Sequence, residues 1–241
     1  MSDSTPTIVL VHGAFAESAS WNPVVEQLQA QNLDVVAAAN PLRSVDGDAA
    51  YVSDVIAAIG GPVVLVGHSY GGIVITEAAA RNDAVTALVY VAAFAPEAGE
   101  SAFELSTRFP GSTLGDALIA YPVATGGNEL AIRPDLFHHQ FAADVPAGIT
   151  ARMAVTQRPI TQEALVEPSG DDPLWRTHPS WFLWGEEDRN IPAAVMRYMA
   201  KRARAHRMTE IPGAAHAVPV AHPAATAHAI REAARLRVGV A

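Results

Sequence analysis

The stretch Pro62–Gly72, PVVLVGHSYGG, decides the fold. Its first five residues are apolar and mostly β-branched, which is typical of a buried strand. Residues 67–71 then match the pattern G-x-S-x-G, and a helical pattern continues to about Arg81. A serine at such a strand-to-helix turn presents its hydroxyl above the sheet, with a helix N-terminus behind it. The alternative is a glycine-rich turn with an incidental serine, but the position after the most strand-like run of the chain favours Ser69 as a nucleophile.

Apolar runs alternate with helical patterns on both sides of this stretch. Six strands are predicted, at residues 7–11, 34–38, 62–66, 85–91, 180–184 and 207–211. Helices are predicted from about residue 20, from the serine turn to about residue 81, and over 48–59, 193–204 and 223–236. Strands that alternate with helices form parallel sheets with helices on both faces. The sequence therefore predicts an α/β fold with about six mainly parallel strands.

The alternation stops between about residues 96 and 179, after the strand at 85–91. A structureless connection of roughly 80 residues is uncommon in a compact domain, so we expect a helical cap inserted at this point. Neither end of the insertion carries a linker. Residues 1–241 are therefore predicted to form a single domain, with a core at 1–95 and 180–241 and a cap at about 96–179.

A serine nucleophile needs a base, and the base needs a carboxylate that orients it. On this type of sheet the order along the chain is Ser, then Asp or Glu, then His. His216 follows the last predicted strand, at the carboxyl edge of the sheet where ligand crevices form. Asp188 follows the preceding strand, and Glu187 on the same loop is its rival. We therefore predict that Ser69, Asp188 and His216 are the catalytic residues.

Two backbone N–H groups are candidates for holding an oxyanion. One belongs to Tyr70, directly after the predicted nucleophile, and the other to Ala14, in the loop after the first strand. His12 and His68 stand at strand ends beside this turn. Packing and hydrogen bonding are the favoured interpretation of both histidines.

Aromatic side chains near these loops and in the cap are candidates for lining the substrate site: Phe15, Trp21, His68, Phe137 and Phe141. For any single apolar residue of the cap, a place in the cap's own core is the simpler interpretation. Together these residues favour an apolar binding site. Arg158 could meet a substrate carboxylate, although a salt bridge within the cap is the favoured interpretation.

Composition narrows the classes of function. The chain has no cysteine, which excludes thiolate nucleophiles, and its net charge of −9 argues against nucleic-acid binding. It lacks a GxGxxG, a Walker lysine and an HExxH pattern, and the adjacent His138 and His139 diverge on a helix, so we expect no cofactor and no metal. There is no signal-peptide pattern and no apolar run of about 20 residues. We expect a cytoplasmic monomer or homodimer that acts on a small molecule, without a nucleic-acid or membrane partner.

Four motifs together resemble the α/β-hydrolase superfamily: HGA at 12–14, GHSYGG at 67–72, GEEDRNIP at 185–192 and GAAH at 213–216. Within it, the chain is similar to the compact branch of small bacterial carboxylesterases, plant methyl-salicylate-type esterases and hydroxynitrile lyases. Lyases of this branch carry a threonine after the first-strand histidine and a lysine after the catalytic histidine. This chain has Gly13 and Ala217 at those positions. The resemblance therefore implies ester hydrolysis rather than cyanohydrin cleavage.

The resemblance implies a serine hydrolase that cleaves small, fairly apolar carboxylic esters through an acyl-enzyme, without a cofactor. Two alternatives stay open. The same triad could cleave lactones or carbon–carbon bonds or perform perhydrolysis, and a triad could also persist in a protein that only binds its ligand.

Overall fold

The computed structural model describes residues 5–124 and 126–235. Within them, the strands in chain order are β1 Thr7–Val11, β2 Val35–Ala38, β3 Val63–His68, β4 Val85–Val91, β5 Leu118–Pro122, β6 Asn128–Ile132, β7 Ile160–Thr161, β8 Ser180–Gly185 and β9 Arg207–Ile211. The helices are α1 Asn22–Gln29, α2 Val45–Ile59, α3 Gly71–Ala79, α4 Ala102–Thr107, α5 Leu114–Ala117, α6 Pro134–Phe141, α7 Ala147–Thr156, α8 Gln162–Val166, α9 Ala193–Arg202, α10 Val218–Ala221 and α11 Pro223–Arg235. Residue 236, the predicted end of the last helix, lies outside the described residues. Over the two described ranges, no helix has the length and apolar character needed to cross a bilayer.

The central sheet contains the six predicted strands in the order β2-β1-β3-β4-β8-β9, and every neighbouring pair is parallel. The predicted α/β fold with a six-stranded parallel sheet is confirmed. All residues of β3 are buried, which explains why its sequence is apolar without alternation. The strand order reverses between β1 and β3, and ligands of such sheets bind beyond the carboxyl ends of the strands at this switch point. The fold therefore places a crevice where β1 and β3 end.

Successive residues of the strands pack against helices on opposite faces of the sheet. In β1, Ile8 and Leu10 belong to the core cluster that includes α1 and α11, whereas Val9 and Val11 belong to the cluster that includes α2, α3 and α9. All four side chains are fully buried. Full burial of such a side chain stabilises the fold by about 1.5–3 kcal/mol. The two clusters hold the sheet rigid beneath the crevice.

Helix α2 begins three residues before its predicted start. The hydroxyl of Ser44 accepts a hydrogen bond from the Gly47 N–H at 3.1 Å and so caps the helix. Asp46 and Asp48 lie in the first turn, where a negative charge complements the helix dipole. The helix ends at Ile59, and the next residue, Gly60, has a φ of 68°, a left-handed conformation that favours glycine. Ser44, a typical N-cap residue, was the signal in the sequence that could have predicted the helix start at Val45.

The insertion between β4 and β8 contains helices α4 to α8, but it is not wholly helical as predicted. Strands β5, β6 and β7 form a separate antiparallel sheet, in which β6 pairs with both of the others. Strand β5 is mostly exposed and β7 is only two residues long, so neither has the apolar signal of a buried strand. Strands β5 and β6 pair as a local hairpin, but the pairing of β6 with β7 spans about 30 residues, which a local pattern does not reveal. That residues 1–241 form a single domain, with a core at 1–95 and 180–241 and a cap inserted at about 96–179, stays a prediction.

Candidate active site

The turn between β3 and α3 holds Ser69 in a left-handed conformation with a φ of 55°, which is costly for a residue with a side chain. The Ser69 N–H donates to the carbonyl of Ala92 at 3.1 Å, and the Ser69 carbonyl accepts from the Phe94 N–H at 3.2 Å. A Cβ at Gly67 would lie 2.6 Å from the carbonyl oxygen of Gly71. Strand and helix therefore meet so closely that only glycine fits, and the end of β4 fixes the strained serine.

Two backbone N–H groups next to Ser69 donate to no acceptor among the described residues, those of Ala14 and Tyr70. Tyr70 precedes α3, so its N–H is one of the unpaired donors that every helix start leaves. Ala14 reaches the same place because Gly13 packs directly on the turn, where a Cβ would lie 2.5 Å from the Ser69 Cβ. Buried N–H groups without a partner are rare, and an oxyanion could accept from both.

The loop after β1 is also tied to the insertion. Phe15 has a φ of 60°, unusual for a bulky residue, and its N–H donates to the Arg158 carbonyl at 3.0 Å. At the start of the same loop, the His12 carbonyl accepts from the Asn40 Nδ2 at 2.9 Å. The main chain of Arg158 thus supports the loop that carries Ala14, while its side chain is not among the described residues that line the cavity above Ser69.

His216 and Asp188 form a buried pair, with the His216 Nδ1 donating to the Asp188 Oδ2 at 2.7 Å. The other oxygen of this carboxylate accepts from the N–H groups of Asn190 at 2.8 Å and Ile191 at 2.9 Å. The His216 Nε2 is buried and has no hydrogen-bond partner in the described part of the chain. It is therefore the ring nitrogen that can accept a proton. Glu187, the rival of Asp188, is exposed on the same loop.

His216 lies directly beside the turn that carries Ser69. The Nε2 of His68, the residue before Ser69, donates to the His216 carbonyl at 3.1 Å. The centres of these two imidazole rings are 4.8 Å apart. The Ser69 hydroxyl and the His216 ring are not hydrogen-bonded to each other in this structure, and such contacts are often loose before a substrate binds. The structure thus brings Ser69, Asp188 and His216 to the same edge of the sheet.

Two other buried histidines beside the turn are neutral. Burial lowers the pKa of His12 to about 4, and burial together with the neighbouring His216 and His12 lowers the pKa of His68 well below its usual value. The His12 Nδ1 donates to the Gly13 carbonyl at 2.9 Å. Each ring therefore supports a backbone carbonyl without adding a charge next to His216.

Because these rings must stay neutral in the folded state, the protein should lose stability in acid. The unfolded chain takes up a proton at His12 below the ordinary pKa of 6.5, and the folded chain only near 4. Stability is therefore lost as the pH falls from 6.5 to 4, by about 2 kcal/mol at pH 5 from His12 alone. Urea unfolding at pH 7.5 and pH 5 measures this loss. It should shrink in His12→Asn and persist in the exposed His228→Asn; an unchanged loss in His12→Asn would exclude His12 as its source.

A cavity of about 410 Å³ opens above Ser69, within the usual size range of ligand sites. Its walls include the apolar side chains of Phe15, Phe94, Phe109, Leu114, Leu165 and Ile191. Thirteen of its twenty-one lining residues belong to the single stretch 102–118. Asp116 is the one charged side chain among them. The cavity therefore suits an apolar ligand without a carboxylate.

Of the five predicted substrate-binding side chains, Phe15 lines this cavity and the other four pack elsewhere. Trp21 meets His68 edge to face with ring centres 6.3 Å apart. Phe141 meets the His216 ring edge to face at 4.9 Å and also contacts Phe137. Of these side chains, His68 and Phe141 contact the His216 ring, whereas Trp21 contacts His68 and Phe137 contacts Phe141.

Several lining residues were missed by the sequence analysis: Phe94, Leu165 and Ile191. Phe94 and Ile191 follow the carboxyl ends of β4 and β8, and that placement was a usable signal. Leu165 lies on the short helix α8, whose position over Ser69 depends on how the insertion packs.

A family model described as the alpha/beta hydrolase family matches residues 8–229. The chain belongs to the alpha/beta hydrolase family. One member, the alpha/beta hydrolase nvfD of Aspergillus novofumigatus (strain IBT 16806), is 30% identical over 221 residues, which cover 82% of this chain and 84% of that protein. The family resemblance stated from the four motifs is confirmed.

Two solved structures share the fold at lower sequence identity. Polyneuridine aldehyde esterase superposes with a TM-score of 0.81 at 18% identity, covering 95% of this chain and 99% of that one. A pyrethroid hydrolase from Sphingobium faniae JZ-2 gives a TM-score of 0.76 at 22% identity, covering 98% and 100% of the two chains. These similarities extend over the insertion as well as the sheet.

Proposed function

We propose that this alpha/beta hydrolase is a serine esterase that cleaves small, fairly apolar carboxylic esters through an acyl-enzyme. The observation that carries the proposal is a pair of N–H groups, at Ala14 and Tyr70, that flank Ser69 in one apolar cavity and find no acceptor in the described part of the chain. Donors aimed at the place where negative charge develops are the largest single contribution to many acyl transfers. The names of the two structural neighbours, an esterase and a pyrethroid hydrolase, agree with this assignment.

In the proposed reaction, the Ser69 Oγ attacks the ester carbonyl while the His216 Nε2 takes its proton. Asp188 keeps the Nδ1–H of His216 in place and stabilises the imidazolium, and the N–H groups of Ala14 and Tyr70 donate to the oxyanion. The tetrahedral intermediate collapses, and the departing alkoxide takes the proton from His216. Water, activated by the same ring, then attacks the acyl-enzyme and releases the acid and Ser69.

The charge and the volume of the cavity support a neutral ester as the substrate class. The single charged side chain among the lining residues is the carboxylate of Asp116, so an anionic substrate would be repelled rather than paired. A volume of about 410 Å³ suits a small acyl and alcohol group. The insertion would act as a cap that encloses this ester above Ser69.

Position 13 favours ester hydrolysis over cyanohydrin cleavage. A side chain there would meet the Ser69 Cβ at 2.5 Å and the His68 carbonyl oxygen at 2.7 Å. The threonine that lyases of the resembled branch carry at this position would therefore not fit against the turn as it stands. Gly13 leaves that space open in front of the proposed nucleophile.

Turnover of p-nitrophenyl acetate and butyrate tests the proposal. The wild-type protein should hydrolyse both and release equal amounts of phenol and acid, and a fluorophosphonate probe should label Ser69. Lactone or carbon–carbon cleavage without ester turnover would point to the alternative triad reactions. Tight binding of the ester without turnover would assign a ligand-binding protein instead.

Gly13→Ala should reduce ester turnover strongly, because its Cβ forces the oxyanion loop away from Ser69. A misplacement of about 1 Å lowers enzymatic rates by about 100-fold, and we expect a fall of that order in kcat/KM. Gly148→Ala is the matched control, since a Cβ there meets no atom within 4 Å. Steady-state kinetics of both variants measures the difference; equal activity would mean that the Gly13 contact does not set the geometry.

A further inference from the structure

The loop that carries His216 is held on both sides by one turn of the insertion. The Ala215 N–H donates to the Asp144 Oδ2 at 3.1 Å. The Ala217 N–H donates to the Phe141 carbonyl at 3.0 Å. The two residues that flank His216 are therefore both fixed by the last residue of helix α6 and by the segment that follows it.

The same end of α6 also reaches the loop that carries Asp188. The Nε2 of Gln140, a buried residue, donates to the Arg189 carbonyl at 3.0 Å and to the Asn190 Oδ1 at 2.8 Å. Residues 140–144, called here the clamp turn, thus contact both loops of the buried His216–Asp188 pair.

The clamp turn is itself well anchored. The Val145 N–H donates to the Ala142 carbonyl at 3.1 Å, which closes the turn between α6 and α7. The Val145 carbonyl accepts from the His138 Nε2 at 3.1 Å and from the Thr150 hydroxyl at 3.3 Å. One bond comes from each flanking helix, so Asp144 projects from a rigid corner rather than from a loose loop.

We propose that Asp144 is a positioning residue, which sets the place of His216 relative to Ser69 and so couples the insertion to the base. The proposal rests on the proposed function, in which His216 is the base. Ala215 is buried, so loss of its acceptor would leave an unpaired buried N–H, which is unfavourable. The loop that carries His216 would then move until this N–H finds another partner or water. A carboxylate acceptor makes the bond stronger than one to a neutral oxygen.

The carboxylate of Asp144 has a second partner that allows the two contacts to be separated. The His222 Nε2 lies 2.9 Å from the same Oδ2, and its side chain is partly exposed. A pair of this kind on the surface contributes little to stability. Removal of His222 keeps the Asp144–Ala215 bond, whereas removal of the Asp144 carboxylate breaks both.

Kinetics of matched variants test the proposal on p-nitrophenyl butyrate. Asp144→Ala should lower kcat by about 10-fold to 100-fold with KM changed less than about 3-fold, because the base moves while the cavity stays. Asp144→Asn should recover most of kcat, since its Oδ1 can still accept from Ala215. His222→Ala should stay near wild type, as should Asp135→Ala, which removes an exposed carboxylate from the same insertion. A full kcat in Asp144→Ala, or an equal loss in His222→Ala, would overturn the assignment.

Amide hydrogen exchange of residues 212–218 gives a readout that needs no ester turnover. Asp144→Ala should speed exchange in this segment, while Asp144→Asn and His222→Ala should keep it slow. If the wild type hydrolyses no ester but exchange responds in this way, the proposed function fails and the positioning contact stands. If the wild type is active and Asp144→Ala alters neither exchange nor kcat, the positioning role fails alone. Should Asp144→Ala not fold, Asp144→Leu fills the space without an acceptor and gives the same comparison.

Discussion

Ser69→Ala is expected to lower kcat for ester hydrolysis by on the order of 10⁴-fold or more, because the attacking oxygen is removed while the oxyanion donors remain. The methyl group of alanine fits the space of the serine, so thermal unfolding should stay close to that of the wild type. Steady-state turnover of p-nitrophenyl butyrate, together with loss of fluorophosphonate labelling, measures the effect.

Ser106→Ala is the matched control for this experiment. Ser106 lines the same cavity, and its hydroxyl donates to the Phe103 carbonyl of its own helix at 2.8 Å. Its removal should change kcat/KM less than about threefold, since it takes no part in the proposed bond changes. Turnover by Ser69→Ala at the wild-type rate, or an equal loss in Ser106→Ala, would reject Ser69 as the nucleophile.

Asp188→Asn should be nearly as damaging, with kcat lower by on the order of 10⁴-fold. The N–H groups of Asn190 and Ile191 both donate to the Asp188 Oδ1, so they would hold the carbonyl oxygen of the new amide. Its NH₂ group would then face the His216 Nδ1 and donate to it. That ring nitrogen must lose its proton to accept, which moves the proton to Nε2 and leaves His216 unable to act as a base.

Glu187→Gln controls for the loss of a negative charge on the same loop. The side chain of Glu187 is exposed. Its backbone N–H donates to the Ala214 carbonyl at 2.9 Å, in the loop that carries His216, and the substitution keeps this hydrogen bond. Activity should stay within about threefold of wild type. If Glu187→Gln lost as much activity as Asp188→Asn, the net charge of the loop rather than the orientation of His216 would be responsible.

The sheet and the convergence of its loops were predictable because both follow from local patterns. Each strand of the central sheet is a short apolar run, and parallel strands end at a common edge. Ala14, Ser69, Asp188 and His216 all follow such strand ends, so their meeting needed no knowledge of the packing. The glycines around Ser69 gave a further local signal, since close approach of strand and helix excludes a Cβ.

The walls of the cavity were not predictable in the same way. Trp21, Phe137 and Phe141 are aromatic and close to the site, but their partners are His68, His216 and one another. Whether an aromatic side chain lines the cavity or packs elsewhere depends on how the insertion packs on the sheet. The pairing of β6 with β7 was missed for the same reason, because it joins segments about 30 residues apart, whereas β5 and β6 form a local hairpin in which β5 is mostly exposed.

The stretch 102–118 supplies most of the cavity wall, whereas the groups proposed to perform the chemistry come from loops elsewhere in the chain. A gene segment of about 50 nucleotides therefore encodes most of the residues that line the cavity above Ser69. Replacement of residues 102–118, by recombination or by a saturation library, should alter which substrates the hydrolase accepts and leave the proposed catalytic residues as they are. If the proposed roles hold, substrate scope and catalysis are encoded in separate parts of this gene.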